Sequence, residues 1–169
     1  MTLAVLFIAI AVTVGFTGLC SFNPGKPENG PVQEVDAATF LTMESRRVDY
    51  PVRNPQVPQE WVANSARAGN AAGNLSTIVG YVTASGAYLQ LLQTDAPVDK
   101  LPADSRPRRE DGEVEVSGVR FQRWAPEGDN RRSAWVGDYS EVRFVLEGTA
   151  TEEEFKQLAE AAIAAEPVQ

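Results

Sequence analysis

The sequence contains no histidine and a single cysteine, Cys20, among its 169 residues. Without histidine there is no Ser-His-Asp or Cys-His arrangement, no usual zinc ligand set and no common general base near neutral pH. A lone cysteine forms no intramolecular disulfide. These absences predict a protein that is not an enzyme and that uses no metal or cofactor.

Basic residues are also scarce. The net charge is −8, and every charged residue lies beyond position 25. Binding to nucleic acid depends on cationic neutralisation of phosphates, and binding to anionic lipid headgroups depends on polybasic segments. We therefore expect no nucleic-acid partner and no electrostatic attachment to a membrane surface.

The first 22 residues carry no charge at all. A helix of about 20 apolar residues spans the roughly 30 Å hydrocarbon core of a bilayer. The run is longer than the apolar core of a cleaved signal peptide, and Leu19 stands where a lipoprotein signal has a small residue before its cysteine. An uncleaved transmembrane anchor over residues 1–22 is favoured, with a secreted form and a lipidated Cys20 as the alternatives.

The orientation of this anchor depends on few residues. Lys26 is the nearest basic residue, so the positive-inside rule gives little direction, and basic residues upstream of Met1 would be the simplest source of orientation. We expect a single-pass protein of the cytoplasmic membrane with its remainder extracytoplasmic. Residues 23–35, which include Pro24, Pro27 and Pro31, are typical of an extended Pro/Gly-rich tether.

Residues 36–169 predict an α+β domain. From Trp61 onward, apolar residues alternate with period two, which predicts a mostly antiparallel sheet of five or six strands. In this interpretation the run "AGNAAGN" ends the first strand, "SRPRREDGE" is an exposed loop, and Gly118 marks a bulge within one strand.

Two helices are predicted to cover one face of this sheet. Asp36 caps a short N-terminal helix, "DAATFLTMESRR", whose inward-facing residues are Phe40 and Leu41, with Met43 as a further candidate. Thr151 and Glu154 form a capping box at the start of a longer C-terminal helix, "TEEEFKQLAEAAIAAE". The covering of the other sheet face is left open by the sequence.

Four stretches of the chain carry a family resemblance: "VPQEWVANSAR", "GYVTASGAYLQLLQTD", "VSGVRFQRW" and "VRFVLEGTATEEEFKQLAEA". Together with the N-terminal span, they resemble the actinobacterial family called domain of unknown function 4245. The resemblance implies a one-span envelope protein whose folded part faces outward and has no assigned activity. Members usually carry basic residues before the span, and this chain does not.

Aromatic residues provide the first candidate contacts for a ligand or partner, namely Trp61, Tyr88 and Trp124, together with Arg123 beside Trp124. Aromatic surfaces bind glycans, lipids and peptides, although packing within the domain explains the same residues. Two arginine-rich loops provide a further hypothesis, with Arg106, Arg108 and Arg109 in "SRPRRE" and Arg131 and Arg132 in "DNRRS". If the loops converge they clamp a phosphate or carboxylate. The favoured interpretation is that the neighbouring acids Glu110, Asp111 and Asp129 neutralise them as solvated loops.

These observations favour a non-enzymatic binding or scaffolding domain whose partner is another envelope protein, a lipid or a glycan. One alternative is a small-ligand or lipid carrier with an aromatic-lined cavity between the sheet and a helix. A second alternative is a hydrolase that uses carboxylates alone, which needs two carboxyl groups about 5–10 Å apart across a cleft.

Overall fold

The computed structural model describes residues 33–102 and 104–168. The predicted anchor at residues 1–22 lies outside these ranges, as does most of the predicted tether at 23–35. Within the described ranges, no helix is both long enough and apolar enough to cross a bilayer.

A seven-stranded antiparallel sheet forms the centre of the fold. The strands are β1 (Val62–Ala71), β2 (Asn74–Val82), β3 (Tyr88–Thr94), β4 (Arg108–Val116), β5 (Val119–Pro126), β6 (Ser133–Tyr139) and β7 (Val142–Gly148), and their order in the sheet is β1-β2-β3-β7-β6-β5-β4. The helices are α1 (Ala37–Glu44) and α2 (Glu152–Ala164), and Val98–Lys100 form a short 3-10 turn. The α+β class and the antiparallel sheet are confirmed.

The strand count of five or six was wrong because one predicted strand is a hairpin. Ser117 and Gly118 both have positive φ, 48° and 80°, and Val116 pairs with Val119 across them. Two consecutive residues with positive φ make a tight hairpin turn that matches the twist of the strands. The glycine assigned to a bulge therefore joins β4 to β5.

Two segments predicted to lie outside strands are also paired. The sequence "RREDGE" belongs to β4, with its register shift between Glu110 and Glu113, where Gly112 has a φ of 80°. Likewise β1 continues through most of the small-residue run and turns at Ala72 and Gly73. Despite their low intrinsic strand propensity, both segments form strands because a neighbouring strand supplies backbone hydrogen bonds.

Both helices pack on the same face of the sheet. The core between them is fully buried and includes Leu41 of α1, Phe155 of α2 and Phe144 of β7. The predicted capping box is present, since Glu154 N donates to Thr151 Oγ1 at 3.3 Å and Thr151 N donates to Glu154 Oε2 at 2.8 Å. Met43 is 63% exposed, contrary to prediction, because it lies two residues, about 200° around the helix, from the buried Leu41.

The sheet face away from the helices, called here the open face, is partly covered by the chain between β3 and β4. Ala96 and Leu101 of that connection are buried against Val136 and Val145 of the sheet. This segment was predicted to be a short helix or turn followed by an exposed loop, and the 3-10 turn agrees with the first part. Its apolar residues close one side of a recess on the open face.

Candidate binding pocket on the open face

Pairing between neighbouring strands aligns seven residues, one from each strand, in a row across the open face. Side chains of directly paired residues lie side by side on the same face. From β1 to β4 the row reads Ser65, Gly80, Gln90, Glu147, Ala134, Trp124 and Glu110. Gln90 and Glu147 are thus neighbours in the middle of the sheet.

Glu147 is the centre of a buried ion cluster. Its side chain is 5% exposed, and three arginines donate to its carboxylate. Arg106 Nη1 lies 2.6 Å and Arg132 Nη1 3.2 Å from Oε1, while Arg108 Nη2 lies 2.9 Å from Oε2. Hydrogen bonds between charged groups are roughly twice as strong as neutral ones, which fixes the position of this carboxylate.

A second carboxylate, Asp104, lies on the same arginines. Arg106 Nη1 donates to Asp104 Oδ2 at 2.7 Å, and Arg108 Nη1 and Nη2 also donate to this carboxylate. Burial acts to raise the pKa of Asp104, but the hydrogen bond and charge of Arg108 and the charge of Arg106 hold that pKa below its ordinary value. Asp104 is therefore ionised at neutral pH and is not a proton donor there.

The two arginine-rich segments of the sequence come together on Glu147 through Arg106, Arg108 and Arg132, contrary to the favoured interpretation that each is a separately neutralised loop. The acids that neutralise these three arginines are Glu147 and Asp104, and not the Glu110, Asp111 and Asp129 named from the sequence. Local neutralisation does occur at Arg109, whose Nη1 lies 3.3 Å from Asp111 Oδ1.

Arg67, on β1, extends the cationic surface to the other side of Gln90. Its Nη2 donates to Gln90 Oε1 at 3.2 Å, and Tyr88 Oη donates to the same oxygen at 3.0 Å. The guanidinium of Arg132 lies 4.9 Å from the centroid of the Tyr88 ring, within the range of a cation-π interaction. A chain of contacts thus joins Arg132 to Arg67 through Tyr88 and Gln90.

These side chains surround a recess of about 190 Å³, called here the arginine pocket. Its charged and polar lining consists of Arg67, Asn70, Gln90, Asp104, Arg106, Arg132 and Glu147. Its apolar lining consists of Ala71, Ile78, Leu92, Leu101, Pro102 and Val145. Small-molecule sites combine an apolar surface with a few placed polar groups in this way.

The four residues singled out from the sequence do not form one site. Trp61 is 6% exposed within the core on the helix side, where its ring centroid lies 6.4 Å from that of Tyr81. Arg123 also lies on the helix side, with ion pairs to Asp111 at 3.2 Å and Glu152 at 3.5 Å. Only Tyr88 and Trp124 face the open side, because Arg123 and Trp124 are consecutive in a strand and point in opposite directions.

Trp124 and Tyr88 lie on opposite sides of the ion cluster. Trp124 packs against the small apolar group that includes Leu101 and Val136, and it lines a neighbouring recess with Asp104, Arg106 and Arg108. Its Nε1 is buried and has no hydrogen-bond partner among the described residues. Tyr88 touches the arginine pocket through Gln90 and Arg132.

Sequence reasoning missed Arg67, Gln90 and Glu147 as site residues. One signal was available, because alternation along "VRFVLEG" placed Glu147 opposite to Phe144 and on the same side as Val145. A glutamate in a strand buried on both faces needs a cationic partner. The identity of that partner depends on strand order and register, which the sequence pattern does not contain.

The fold and the pocket together define an α+β domain with one antiparallel sheet, helices on one face and an arginine-lined recess on the other. The chain belongs to the family described as "Protein of unknown function (DUF4245)", whose model matches residues 1–162. The family resemblance noted in the sequence is thereby confirmed. No curated protein and no solved structure matches the chain.

Proposed function

We propose that this protein is a non-enzymatic binding domain of the cell envelope and that the arginine pocket is its binding site. The observation that supports this proposal is the recess on the open face, in which Arg67, Arg106 and Arg132 stand beside an apolar surface. Arg106 and Arg132 keep 43% and 36% of their side chains exposed while paired with Glu147. They are accessible to a partner without rearrangement of the fold.

The helix side gives less support for a binding site. Its aromatic residues contact one another, with the Trp135 and Phe155 ring centroids 5.1 Å apart and the Phe121 and Trp135 centroids 6.3 Å apart. These rings pack against one another between the sheet and α2, where a carrier with an aromatic-lined cavity would hold its ligand. The arginine pocket is therefore the site we favour.

We further propose that the N-terminal segment anchors the chain in the cytoplasmic membrane and leaves the folded domain outside. The uncharged stretch over residues 1–22 supports this placement. Because Cys20 is the single cysteine, a Cys20→Ser chain that carries Glu160→Cys has one thiol on the exposed surface of α2. An impermeant maleimide should label it in intact cells, and the chain should stay in carbonate-washed membranes.

The opposite results would refute the placement. Labelling of Glu160→Cys only after lysis would put the domain in the cytosol, and recovery of the chain in the carbonate supernatant would remove the anchor. A Cys20→Ser chain without a new cysteine controls for unspecific labelling.

The binding role itself is tested by photocrosslinking in intact cells. A photoreactive residue at Asn70, an exposed position that lines the arginine pocket, should give a discrete crosslinked species, whereas the same residue at Glu160 on α2 should not. Crosslinks from Glu160 alone, or from neither position, would contradict a binding site on the open face.

A further inference from the structure

We infer that the arginine pocket binds an aliphatic carboxylate, with the carboxylate at Arg67 and the aliphatic group on the apolar floor. This inference rests on the proposed function, since it names the chemical class of ligand for the same site. The ligand is either a free acid or the carboxyl end of a longer partner, and both present the same chemistry to the pocket.

The charge of the pocket indicates an anion. Glu147 and Asp104 are held by Arg106, Arg108 and Arg132, so the paired part of the cluster already contains one more arginine than carboxylate. Arg67 adds another positive charge. Cations in a recess with low-dielectric walls concentrate anions near them, even on a domain of net negative charge.

Arg67 is the group best placed to hold that anion. A guanidinium has five N–H donors in a planar fork that matches a carboxylate. The hydrogen bonds of the described residues engage one of them, with the neutral oxygen of Gln90. Arg67 is also exposed, so an anionic ligand reaches it from solvent and gives it the charged partner that no described residue provides.

The two carboxylates in the lining select against a dianion. Inorganic phosphate at neutral pH carries more negative charge than a carboxylate and would face Glu147 and Asp104 within the same recess. Like charges at short range are unfavourable, and the effect increases as water is excluded. A monoanion is therefore the better match to the remaining positive charge.

The floor of the pocket indicates that the anion carries an apolar group. Ile78, Leu92 and Val145 project from three adjacent strands, and Leu101 and Pro102 form a wall beside them. Burial of methylene groups against such a surface is favourable in proportion to their area. The volume of about 190 Å³ is below the 300–1,000 Å³ of typical small-molecule sites, which suits a short aliphatic chain.

Isothermal titration of the full-length chain in a nonionic detergent, with detergent alone as the blank, tests the inference. Hexanoate is the probe, and hexanamide, acetate and inorganic phosphate are its comparisons. Hexanoate should bind about tenfold or more tightly than hexanamide, which lacks the charge, and than acetate, which lacks the methylene groups. No detectable heat from hexanoate, or tighter binding of phosphate or hexanamide, would overturn the inference.

Three variants locate the binding. Arg67→Gln should weaken hexanoate binding about tenfold, while Arg120→Gln, at a 73% exposed arginine outside the pocket lining, should leave it unchanged. Leu92→Ser should weaken hexanoate several-fold and leave acetate unaffected. Equal affinity of all four chains for hexanoate would place the binding elsewhere and overturn the assignment.

A second pair of probes distinguishes the source of the carboxylate. N-acetyl-leucine presents the carboxyl end of a peptide, and N-acetyl-leucinamide lacks its charge. N-acetyl-leucine that binds more tightly than hexanoate would indicate a peptide terminus, and the reverse would indicate a free acid; both results support the carboxylate class.

This experiment fails separately from the test of the proposed function. If Asn70 gives crosslinks in cells but neither hexanoate nor N-acetyl-leucine binds in titration, the proposed binding site stands and the ligand class is rejected. Carboxylate binding in vitro without crosslinks from Asn70 would retain the ligand class and reject an envelope partner at this face.

Discussion

Replacement of Glu147 by glutamine removes the shared anion of three arginines while nearly preserving side-chain size. The Arg108 side chain is 3% exposed and that of Glu147 is 5% exposed, so their pair is buried. Removal of one partner from a buried pair costs about 3–5 kcal/mol, because the other charge stays buried without compensation. The contacts to Arg106 and Arg132 add little, since exposed pairs contribute about 0–1 kcal/mol each.

We therefore expect Glu147→Gln to lower the free energy of unfolding by about 3 kcal/mol, near the lower end of that range because Asp104 still pairs with Arg108. For a domain of this size, this loss corresponds to a fall in Tm of about 10 °C. Urea unfolding followed by tryptophan fluorescence measures it. Glu141→Gln, an exposed carboxylate in the turn directly before the same strand, is the matched control and should change stability by less than about 0.5 kcal/mol.

A double-mutant cycle assigns the loss to the pair. Arg108→Gln should itself be destabilising, and the chain with both changes should be more stable than the sum of the single effects predicts, with a coupling energy of about 2 kcal/mol. A loss below about 1 kcal/mol for Glu147→Gln, or additive effects in the cycle, would refute the conclusion that this ion pair is buried and coupled.

Three further predictions concern the N-terminal cap of α2, Gly80 beside Tyr88, and the ring of Trp124. Burial acts to raise the pKa of Glu154, but hydrogen bonds from Thr151 and nearby hydroxyl groups lower it from 4.5 to about 2; the ionised carboxylate therefore stabilises the fold above pH 4.5 by about 1–2 kcal/mol, the range of a helix cap partly screened by solvent, and this contribution is lost as the pH falls from 4.5 toward 2. Glu154→Gln should flatten the unfolding free energy against pH in that window, and an unchanged slope would contradict the assignment. Gly80→Ala should cost about 1–3 kcal/mol in urea unfolding, because a Cβ there would clash with Ser65 Oγ and lie 2.5 Å from Tyr88 Oη and 2.8 Å from Tyr88 Cε2; a neutral result would show that the Ser65 and Tyr88 side chains both move aside freely. Trp124→Phe should change stability by less than about 1 kcal/mol, since the lost apolar area is offset by removal of the buried Nε1 that has no partner in the described chain; a larger loss would indicate a hydrogen bond to that nitrogen.

Local patterns predicted those parts of the fold that local physics determines. Side chains of a strand alternate between faces with period two, so Val142, Phe144 and Leu146 were correctly placed together from the sequence and are buried on the helix side. The capping box at Thr151 and Glu154 was predictable for the same reason, because all of its hydrogen bonds lie within four residues.

The hairpin at Ser117 and Gly118 was misread because a bulge and a two-residue turn call for similar residues. Both place glycine at a positive φ. The difference lies in which strand pairs with which, and Val116 pairing with Val119 becomes evident only when β4 has β5 as its partner. Tertiary pairing, and not the local sequence, decided between them.

The ion cluster depends on contacts over still longer distances. Gln90 and Glu147 are paired between β3 and β7, which are 57 positions apart at this point. The sequence placed each arginine next to a nearer acid. The pairing of β6 with β7 sets Glu147 opposite Ala134, close to Arg132, and the pairing of β3 with β7 sets Gln90 on its other side. Arg67 joins the same pocket from β1, the other end of the order β1-β2-β3-β7.

The cluster contains more arginines than are needed to neutralise its buried carboxylate. The arginines that stabilise the fold can therefore be distinguished from those available to bind a ligand. The Arg108 side chain is no more exposed than that of Glu147 and accounts for the compensation of that charge, whereas Arg67 is exposed and bonded to a neutral amide. We expect Arg108→Gln to lower the unfolding free energy by about 2–3 kcal/mol, and Arg67→Gln to change it by less than about 0.5 kcal/mol while weakening hexanoate binding. Urea unfolding and calorimetric titration of both variants measure the two effects separately. If Arg67→Gln proved as destabilising as Arg108→Gln, Arg67 would also be needed for the stability of the fold. The exposure of its guanidinium would then be no evidence for a binding site, because the whole cluster could be a structural ion network.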